Sequence, residues 1–299
     1  MIRTIRSLVG GFLMGTADLI PGVSGGTIAL VLGIYERLVD SIREGSSALG
    51  SLIKGDIGRF RAHLRRVEWR FLIPLLVGIL LAVLTLASLL EHQLEERPTI
   101  LAGLFFGLVV GSIVVAWSLV KQPSAAPVSV GVVVAIVLFV LLGRGEESVV
   151  SDPSLLVFFG AGAIAICAMI LPGISGSLIL LLIGMYAAVL EAVNDRDLVV
   201  VGLFLFGAIV GLALFSQLLA WALRHHHDMV LGGLIGLMAG SLRVLWPWPG
   251  GVESSALHSP GGDWPVVLIA ALAGFVAVFL IARMQETETV ELSEQLPAG

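Results

Sequence analysis

The residues best suited to chemistry in this chain lie in a short motif that occurs twice. Its copies are Pro21-Gly22-Val23-Ser24-Gly25-Gly26 and Pro172-Gly173-Ile174-Ser175-Gly176-Ser177. Pro-Gly predicts a turn, and the backbone N–H groups that start the next helix, together with hydroxyls, are donors for an oxyanion. The predicted anion-binding residues are Ser24, Gly25, Gly26, Thr27, Ser175, Gly176 and Ser177, on turns made by Pro21, Gly22, Pro172 and Gly173. The alternative is that these residues only form turns and helix caps.

Three charged residues flank the first copy. Asp18 lies three residues before the motif in an apolar arm, where a carboxylate is costly and therefore a functional candidate, and Met169 stands at its position in the second copy. Asp18 is expected either to couple transport to a proton or cation gradient or to cap the turn. Glu36 and Arg37 follow the first segment and are candidates for gating, with interface anchoring as the alternative.

The elements that carry these residues are membrane helices. Hydrophobic residues make up 57% of the 299-residue chain and charged ones 13%, and the mean hydropathy is +1.02. A soluble domain has about 25% charged residues, so the soluble class is excluded. Runs of about 20 apolar residues predict an all-α polytopic membrane protein. The six predicted spans are 71–90, 99–120, 128–142, 198–223, 229–246 and 264–282, and the motifs interrupt two further apolar segments, 8–39 and 155–193.

The chain contains an internal repeat. Gly33 and Tyr35 match Gly184 and Tyr186 at the offset of 151 residues that relates the two motifs. Glycines further along match at an offset of 129, so the first copy has an insertion that contains the basic stretch 54–70. The predicted organisation is a single membrane domain. It has repeat one at about 5–120, a linking span at 125–143, repeat two at 153–246, a final span at 264–283 and a disordered acidic tail at 284–299.

The positions of the basic residues predict how the broken segments lie. If both segments are re-entrant hairpins, 13 of the 17 Lys and Arg residues lie inside, and Arg97, Arg144, Arg196 and Arg243 lie outside. This satisfies the preference of cytoplasmic loops for positive charge. Three crossings then separate the two hairpins, so the repeats are inverted and both termini are cytoplasmic.

Other functional classes find no support in the sequence. Cys167 is the single cysteine, and His225, His226 and His227 are adjacent, so they cannot share a helix face as metal ligands. No nucleotide-binding or metalloprotease motif is present, and we expect no catalysis, metal, cofactor or nucleic-acid partner. A secondary transporter of a small soluble anion and a lipid phosphatase or transferase remain alternatives, although the latter lacks a base near its serines.

The motifs resemble those of a known bacterial family. Asp18 to Thr27, then Gly33-Ile34-Tyr35-Glu36, then Leu171 to Ser177 are similar to the PopT family of undecaprenyl phosphate translocases, formerly domain of unknown function 368. The resemblance covers about 5–282. It implies a flippase of the bacterial plasma membrane that returns undecaprenyl phosphate from the outer to the inner leaflet for peptidoglycan and other envelope synthesis. The residues of the motifs would then bind the phosphate of this polyprenyl lipid.

Overall fold

The computed structural model describes residues 2–20, 23–143, 150, 153–249 and 256–294. Every regular element in these ranges is an α-helix, which confirms the all-α class. The helices are α1 (Ile2–Asp18), α2 (Gly25–Val31), α3 (Tyr35–Ile53), α4 (Ile57–Arg66), α5 (Trp69–Glu96), α6 (Pro98–Ser118), α7 (Ala125–Leu142), α8 (Leu155–Ile170), α9 (Gly176–Leu182), α10 (Tyr186–Asn194), α11 (Leu198–His225), α12 (His227–Ser241) and α13 (Trp264–Glu294).

Within the described residues, five helices are by themselves long and apolar enough to cross a membrane. They are α5, α6, α7, α11 and the part of α13 from Trp264 to Arg283. Large apolar side chains on them stay exposed, such as Leu84 at 72% and Ile269 at 66%. Hydrocarbon, unlike water, favours such a surface. The chain is therefore a multi-pass membrane protein, and five of the six predicted spans are confirmed.

The sixth predicted span, 229–246, is shorter in the structure. Its helix, α12, has 15 residues and ends at Ser241, and 242–245 form turns. At 1.5 Å per residue α12 covers about 22 Å, less than the roughly 30 Å hydrocarbon core. Pro247 and Pro249 follow, and a residue before proline avoids the helical conformation, so the helix cannot extend through them.

α13 continues beyond the predicted final span. Its backbone is helical as far as Glu294, which includes the first part of the tail that the sequence predicts to be disordered. Adding residues to an existing helix needs no new nucleation, so a long apolar span can continue into a polar segment. Residues 295–299 of the predicted tail lie outside the described part of the chain.

The first broken segment consists of α1 and α2. α1 runs parallel to α5, since Gly11 faces Leu75 and Gly15 faces Ile79. A Cβ on Gly11 would overlap the carbonyl oxygen of Leu75, so the two backbones are in direct contact. α2 then returns to the side where α5 begins, because Arg37 at the start of α3 pairs with Glu68.

The second broken segment repeats this packing with α8, α9 and α11. Gly162 of α8 faces Phe204, and Gly207 of α11 faces Phe159. At the offsets of 151 and 129 residues these contacts match those of Gly11 with Leu75 and Gly78 with Leu8. The chain again returns to its side of entry, because the N–H of Val150, before α8, donates to the carbonyl oxygen of Gly184, after α9 (3.2 Å).

Two more parallel helix pairs join the halves. Gly107 of α6 lies against Ala271 of α13, and its repeat equivalent Gly236 of α12 lies against Gly131 of α7. α7, which follows α6, thus packs on α12. In the same way α13, which follows α12, packs on α6. α7 and α13, which the sequence leaves outside the repeats, hold equivalent packing positions.

The insertion of the first half forms a helical hairpin on α11. The hydroxyl of Ser46 on α3 lies 3.4 Å from that of Ser216 on α11. α4 folds back on α3, where His63 Nδ1 lies 2.8 Å from the carboxylate of the buried Glu44. These two contacts hold the insertion against α11 and hold α4 against α3.

Candidate functional site

The turns of the two broken segments meet inside the helix bundle. The N–H of Gly173 in the second turn donates to Thr27 Oγ1 at the start of α2 (2.9 Å). Ser24 Oγ of the first turn donates to the carbonyl oxygen of Met169 at the end of α8 (3.4 Å). A Cβ on Gly26 would crowd the carbonyl oxygen of Ile170, so this position needs glycine. The structure therefore brings the two copies of the motif to one point.

The polar groups of the first turn bond to one another. Ser24 is the N-cap of α2, and its Oγ accepts from the N–H of Gly26 (3.1 Å). Asp18 Oδ1 accepts from the N–H of Gly25 (2.6 Å). Ser24 and Thr27 are 1% and 0% exposed. Asp18 thus caps the turn, and its carboxylate occupies a donor that the sequence assigns to a bound anion. Pro21 and Gly22, the predicted turn residues, lie outside the described residues.

The second turn is more open. Ser175 Oγ accepts from the N–H of Leu178 (3.1 Å) and lies 3.0 Å from Ser177 Oγ. Ser177 is exposed, and Ser175 is half-buried. Gly173 has φ +84°, a left-handed conformation that suits glycine. Among the predicted anion-binding side chains, Ser177 is the exposed one, and the half-buried Ser175 caps α9 beside it.

Glu36 and Arg37 lie away from this meeting point, at the far end of α2. Glu36 Oε1 is 3.0 Å from His227 Nε2. Arg37 Nε donates to Glu68 Oε2 (2.8 Å), and the guanidinium lies 4.1 Å from the centre of the Phe71 ring. These pairs tie the exit of the first segment to α12 and α5. The two residues belong to this exit and not to the turns.

Their partners were not found from the sequence. The three histidines are expected to form a solvated helix end, which describes the exposed His225 and His226. His227 instead is half-buried, and both its ring nitrogens face carboxylates, Nδ1 at 2.9 Å from Asp228 and Nε2 toward Glu36. For Glu68, the sequence offers one indication of an ion pair, namely an acidic residue at the end of the basic stretch 54–70.

The arrangement of the turns is suited to binding an anion. Within the described residues, no group of three His, Cys, Asp or Glu side chains is placed to hold a metal ion. The turns supply hydroxyls and backbone N–H groups in an apolar bundle, where hydrogen bonds to a charged oxygen are strong. Such a site can hold a phosphate by hydrogen bonds.

Comparison with known proteins assigns the chain to a family. Residues 14–261 match the family model described as VCA0040-like, undecaprenyl phosphate translocase-like. A protein of Vibrio cholerae serotype O1 named polyprenyl-phosphate transporter is 42% identical over 246 residues, which cover 80% of this chain and 76% of that protein. A protein of Staphylococcus aureus with the same name is 30% identical over 297 residues, 93% of this chain and 96% of that protein. No solved structure matches the chain. The chain belongs to the VCA0040-like family of undecaprenyl phosphate translocase-like proteins.

Proposed function

We propose that this protein is a flippase that moves undecaprenyl phosphate from the outer to the inner leaflet of the bacterial plasma membrane. The observation that carries the proposal is the contact between the two motif turns, where Gly173 bonds to Thr27 inside a bundle of apolar helices. Hydroxyls and N–H groups there can hold the phosphate while the prenyl chain stays in hydrocarbon. The relatives named polyprenyl-phosphate transporters support the same substrate class.

The exposure of the second turn supports a lipid over a small soluble anion. Ser177 is exposed, and nearby on α8 Met169 and Ile164 are 47% and 52% exposed. A hydroxyl beside exposed apolar side chains is reached from the side of the bundle. A lipid that keeps its chain in the membrane can approach in this way, whereas a soluble anion needs an aqueous path.

Asp18 couples transport to ion movement in this proposal. Its carboxylate holds the N–H of Gly25, which the incoming phosphate needs. Two anions at one apolar site repel each other strongly. Protonation of Asp18, or neutralisation by a cation, weakens its hold on Gly25 and lets the phosphate take its place. The structure, in which Asp18 caps the turn, then represents the state without substrate.

We further propose that the two halves are inverted repeats with both termini in the cytoplasm. Equivalent glycines make equivalent backbone contacts in the two halves, and each broken segment returns to its side of entry. With Lys54 inside and Asp195 outside, the basic residues follow the charge preference of membrane proteins.

Cysteine labelling tests this topology. Single cysteines replace Lys54 or Asp195 in a Cys167→Ser background, and intact cells are treated with a membrane-impermeant thiol reagent. We expect a label at position 195 and none at position 54. A label at position 54 from outside would overturn the hairpin topology.

Transport itself is tested with the purified chain in liposomes that contain a polyprenyl phosphate. A membrane-impermeant phosphatase reports how much of the lipid phosphate lies in the accessible leaflet. We expect exchange between leaflets that depends on the protein, and no uptake of inorganic phosphate into the same vesicles. Uptake of inorganic phosphate without lipid exchange would establish the small-anion alternative instead.

A further inference from the structure

A cavity of about 520 Å³ opens at the exit of the first broken segment. It lies between the end of α2, the start of α3, the residues after α6 and the junction of α11 with α12. Leu30, Leu223 and Leu231 form an apolar part of its wall. α2 has seven residues and spans about 10 Å, so the cavity lies one short helix away from the meeting point of the turns.

Tyr35, in the lining of this cavity, has a buried hydroxyl without a partner. The residue is 2% exposed, and its OH makes no hydrogen bond to any described residue. Its repeat equivalent Tyr186 is 39% exposed. Leaving a buried hydroxyl unpaired costs stability, and such a group calls for a missing partner. The hydroxyl is covered in this structure, so a ligand oxygen would supply that partner after the side chains around Tyr35 shift.

Two cations line the same cavity. Nε and Nη2 of Arg37 both donate to one carboxylate oxygen, Oε2 of Glu68, and the same two donors can bind a phosphate. The side chain of Glu68 is 51% exposed, so it can return to water when Arg37 changes partner. Lys121 also lines the cavity, and it is exposed, with its backbone N–H donating to Asp228 Oδ1 (3.0 Å).

The acidic residues of the lining have cationic or histidine partners of their own. Glu36 lies against His227, and Asp40 lies within 3.4 Å of Arg43 and Arg224. The two arginines offset the charge of Asp40, and Glu36 is held by His227, so neither opposes an anion at Arg37 and Lys121 as a free carboxylate would.

We propose that this cavity is a second binding site for a phosphomonoester, distinct from the two turns. Tyr35 OH, Arg37 and Lys121 donate to the phosphate oxygens, and Arg37 exchanges Glu68 for the ligand. The apolar wall takes the first prenyl units, which favours a lipid phosphate over free phosphate. The identity of the lipid rests on the proposed function, and the site is the station next to α2 on the transport path.

The test uses the two tyrosines of the chain as reporters. The full chain is labelled with 3-fluorotyrosine in nanodiscs, and Tyr35→Phe and Tyr186→Phe assign the two fluorine signals. We expect geranyl phosphate to shift the Tyr35 signal and leave the Tyr186 signal in place. Inorganic phosphate at the same concentration should produce a smaller shift. An equal shift with both would mean that the site binds free phosphate, and would overturn the lipid assignment.

Variants then separate ligand binding from structure. Tyr35→Phe removes an unpaired hydroxyl, so the ligand-free melting temperature should not fall. Because this variant lacks the Tyr35 signal, its binding is measured by calorimetry, and the affinity for geranyl phosphate at this site should drop about tenfold or more. Arg37→Gln and Lys121→Gln should abolish or weaken the fluorine shift. Arg59→Gln, at a position where the side chain is 79% exposed on α4, is the control and should leave it intact.

The outcomes distinguish the two proposals. If liposomes show lipid exchange but geranyl phosphate leaves the Tyr35 signal unmoved at saturation, the second site is wrong and the proposed function stands. If geranyl phosphate shifts Tyr35 but no lipid exchange occurs, the cavity binds a phosphomonoester and the flippase function is wrong. A loss of melting temperature in Tyr35→Phe that matches the loss of affinity would assign the hydroxyl a structural role and overturn the site.

Discussion

The two broken segments share a turn sequence and a glycine-packed scaffold, but the serines of their turns differ in exposure. In the first turn, Ser24 is 1% exposed, and Asp18 caps Gly25. In the second turn, Ser177 is exposed, and Met169, which replaces Asp18, is 47% exposed. The first turn is thus closed by its own groups, while the second offers its hydroxyls to a ligand.

The exits of the two broken segments, where α3 and α10 begin, also differ in polarity. Glu36 and Arg37 bind His227 and Glu68 across helices, whereas alanines stand at the equivalent positions 187 and 188. A few substitutions on a repeated backbone therefore make one half closed and charged and the other open and apolar. Such asymmetry is what a transporter needs if one side is to stay shut while the other receives the substrate.

Replacing Asp18 should have the largest effect on transport. Asp18→Asn keeps an amide oxygen that can accept from Gly25 but removes the ionisable carboxyl. We expect lipid exchange to fall by at least about tenfold, with normal amounts of protein in the membrane. The control, Met169→Leu in the second hairpin, conserves volume and should preserve exchange.

The pH dependence decides between coupling and capping. Exchange is measured in liposomes from about pH 5 to 9, to test whether the carboxyl of Asp18 acts as a proton carrier. A normal rate for Asp18→Asn at every pH would show that the carboxylate is a cap, and the two hairpins would then differ in stability alone.

The scaffold, unlike the turns, should respond equally in both halves. A Cβ on Gly11 or on Gly162 would overlap a carbonyl oxygen of the facing helix. Each Gly→Ala change should therefore lower the free energy of unfolding by about 1–3 kcal/mol, which is measured as a lower melting temperature in detergent. Gly160→Ala and Gly202→Ala, where a Cβ meets nothing within 4 Å, are the controls. Tolerance in one half and not the other would contradict the equivalence of the packing.

The serines of the two turns should act on one phosphate. Ser24→Ala and Ser175→Ala each remove a hydrogen bond to a charged group, so each should weaken geranyl phosphate binding about tenfold or more. Because the groups share a ligand, the double variant should lose less than the two single losses combined. Binding is measured together with thermal unfolding for the full cycle.

Stability separates the two turns in the same experiment. Ser24 is buried, so its loss also leaves the N–H of Gly26 without a partner, and we expect about 1 kcal/mol less stability. The loss of the half-buried Ser175 should cost less, since the hydroxyl of Ser177, 3.0 Å from that of Ser175, remains near the start of α9. Additive losses of affinity that follow stability alone would mean that the serines only cap their helices.

Composition and spacing were enough to predict the helical class, five spans and the two broken segments, because a run of 20 apolar residues has few alternatives to a membrane helix. The repeat is visible for a physical reason as well. Gly11, Gly78, Gly162 and Gly207 lie where backbones touch, and no larger residue fits there.

The ion pairs at the first exit could not be predicted. Glu36 and His227 are far apart in the sequence, and neither is part of a periodic pattern. Surface charges follow no such pattern, so their partners emerge only once α12 is placed beside α3. The early end of α12 was missed because hydropathy continues through Trp246, while the prolines that follow determine where the helix stops.

The smallest expected effect concerns Asp228, which supports the first exit from behind. Its hydrogen bond from His227 and that from the backbone N–H of Lys121 lower its pKa below the usual value for aspartate. A carboxylate with a lowered folded-state pKa adds stability above its unfolded pKa of about 3.9, and this stability is lost as the pH falls through the folded value.

Asp228→Asn should therefore lower the melting temperature at pH 7, and the difference from the native chain should vanish in acid. Hydrogen exchange should rise in α3, since a neutral amide at position 228 orients His227 toward Glu36 less strongly than the carboxylate does. Asp263 is the matched control, because bonds from Trp248 and Thr99 lower its pKa at the start of α13. Asp263→Asn should show the same loss of melting temperature with pH but leave α3 protected. Faster exchange in α3 for both variants would mean that the first exit is not held by its own ion pairs.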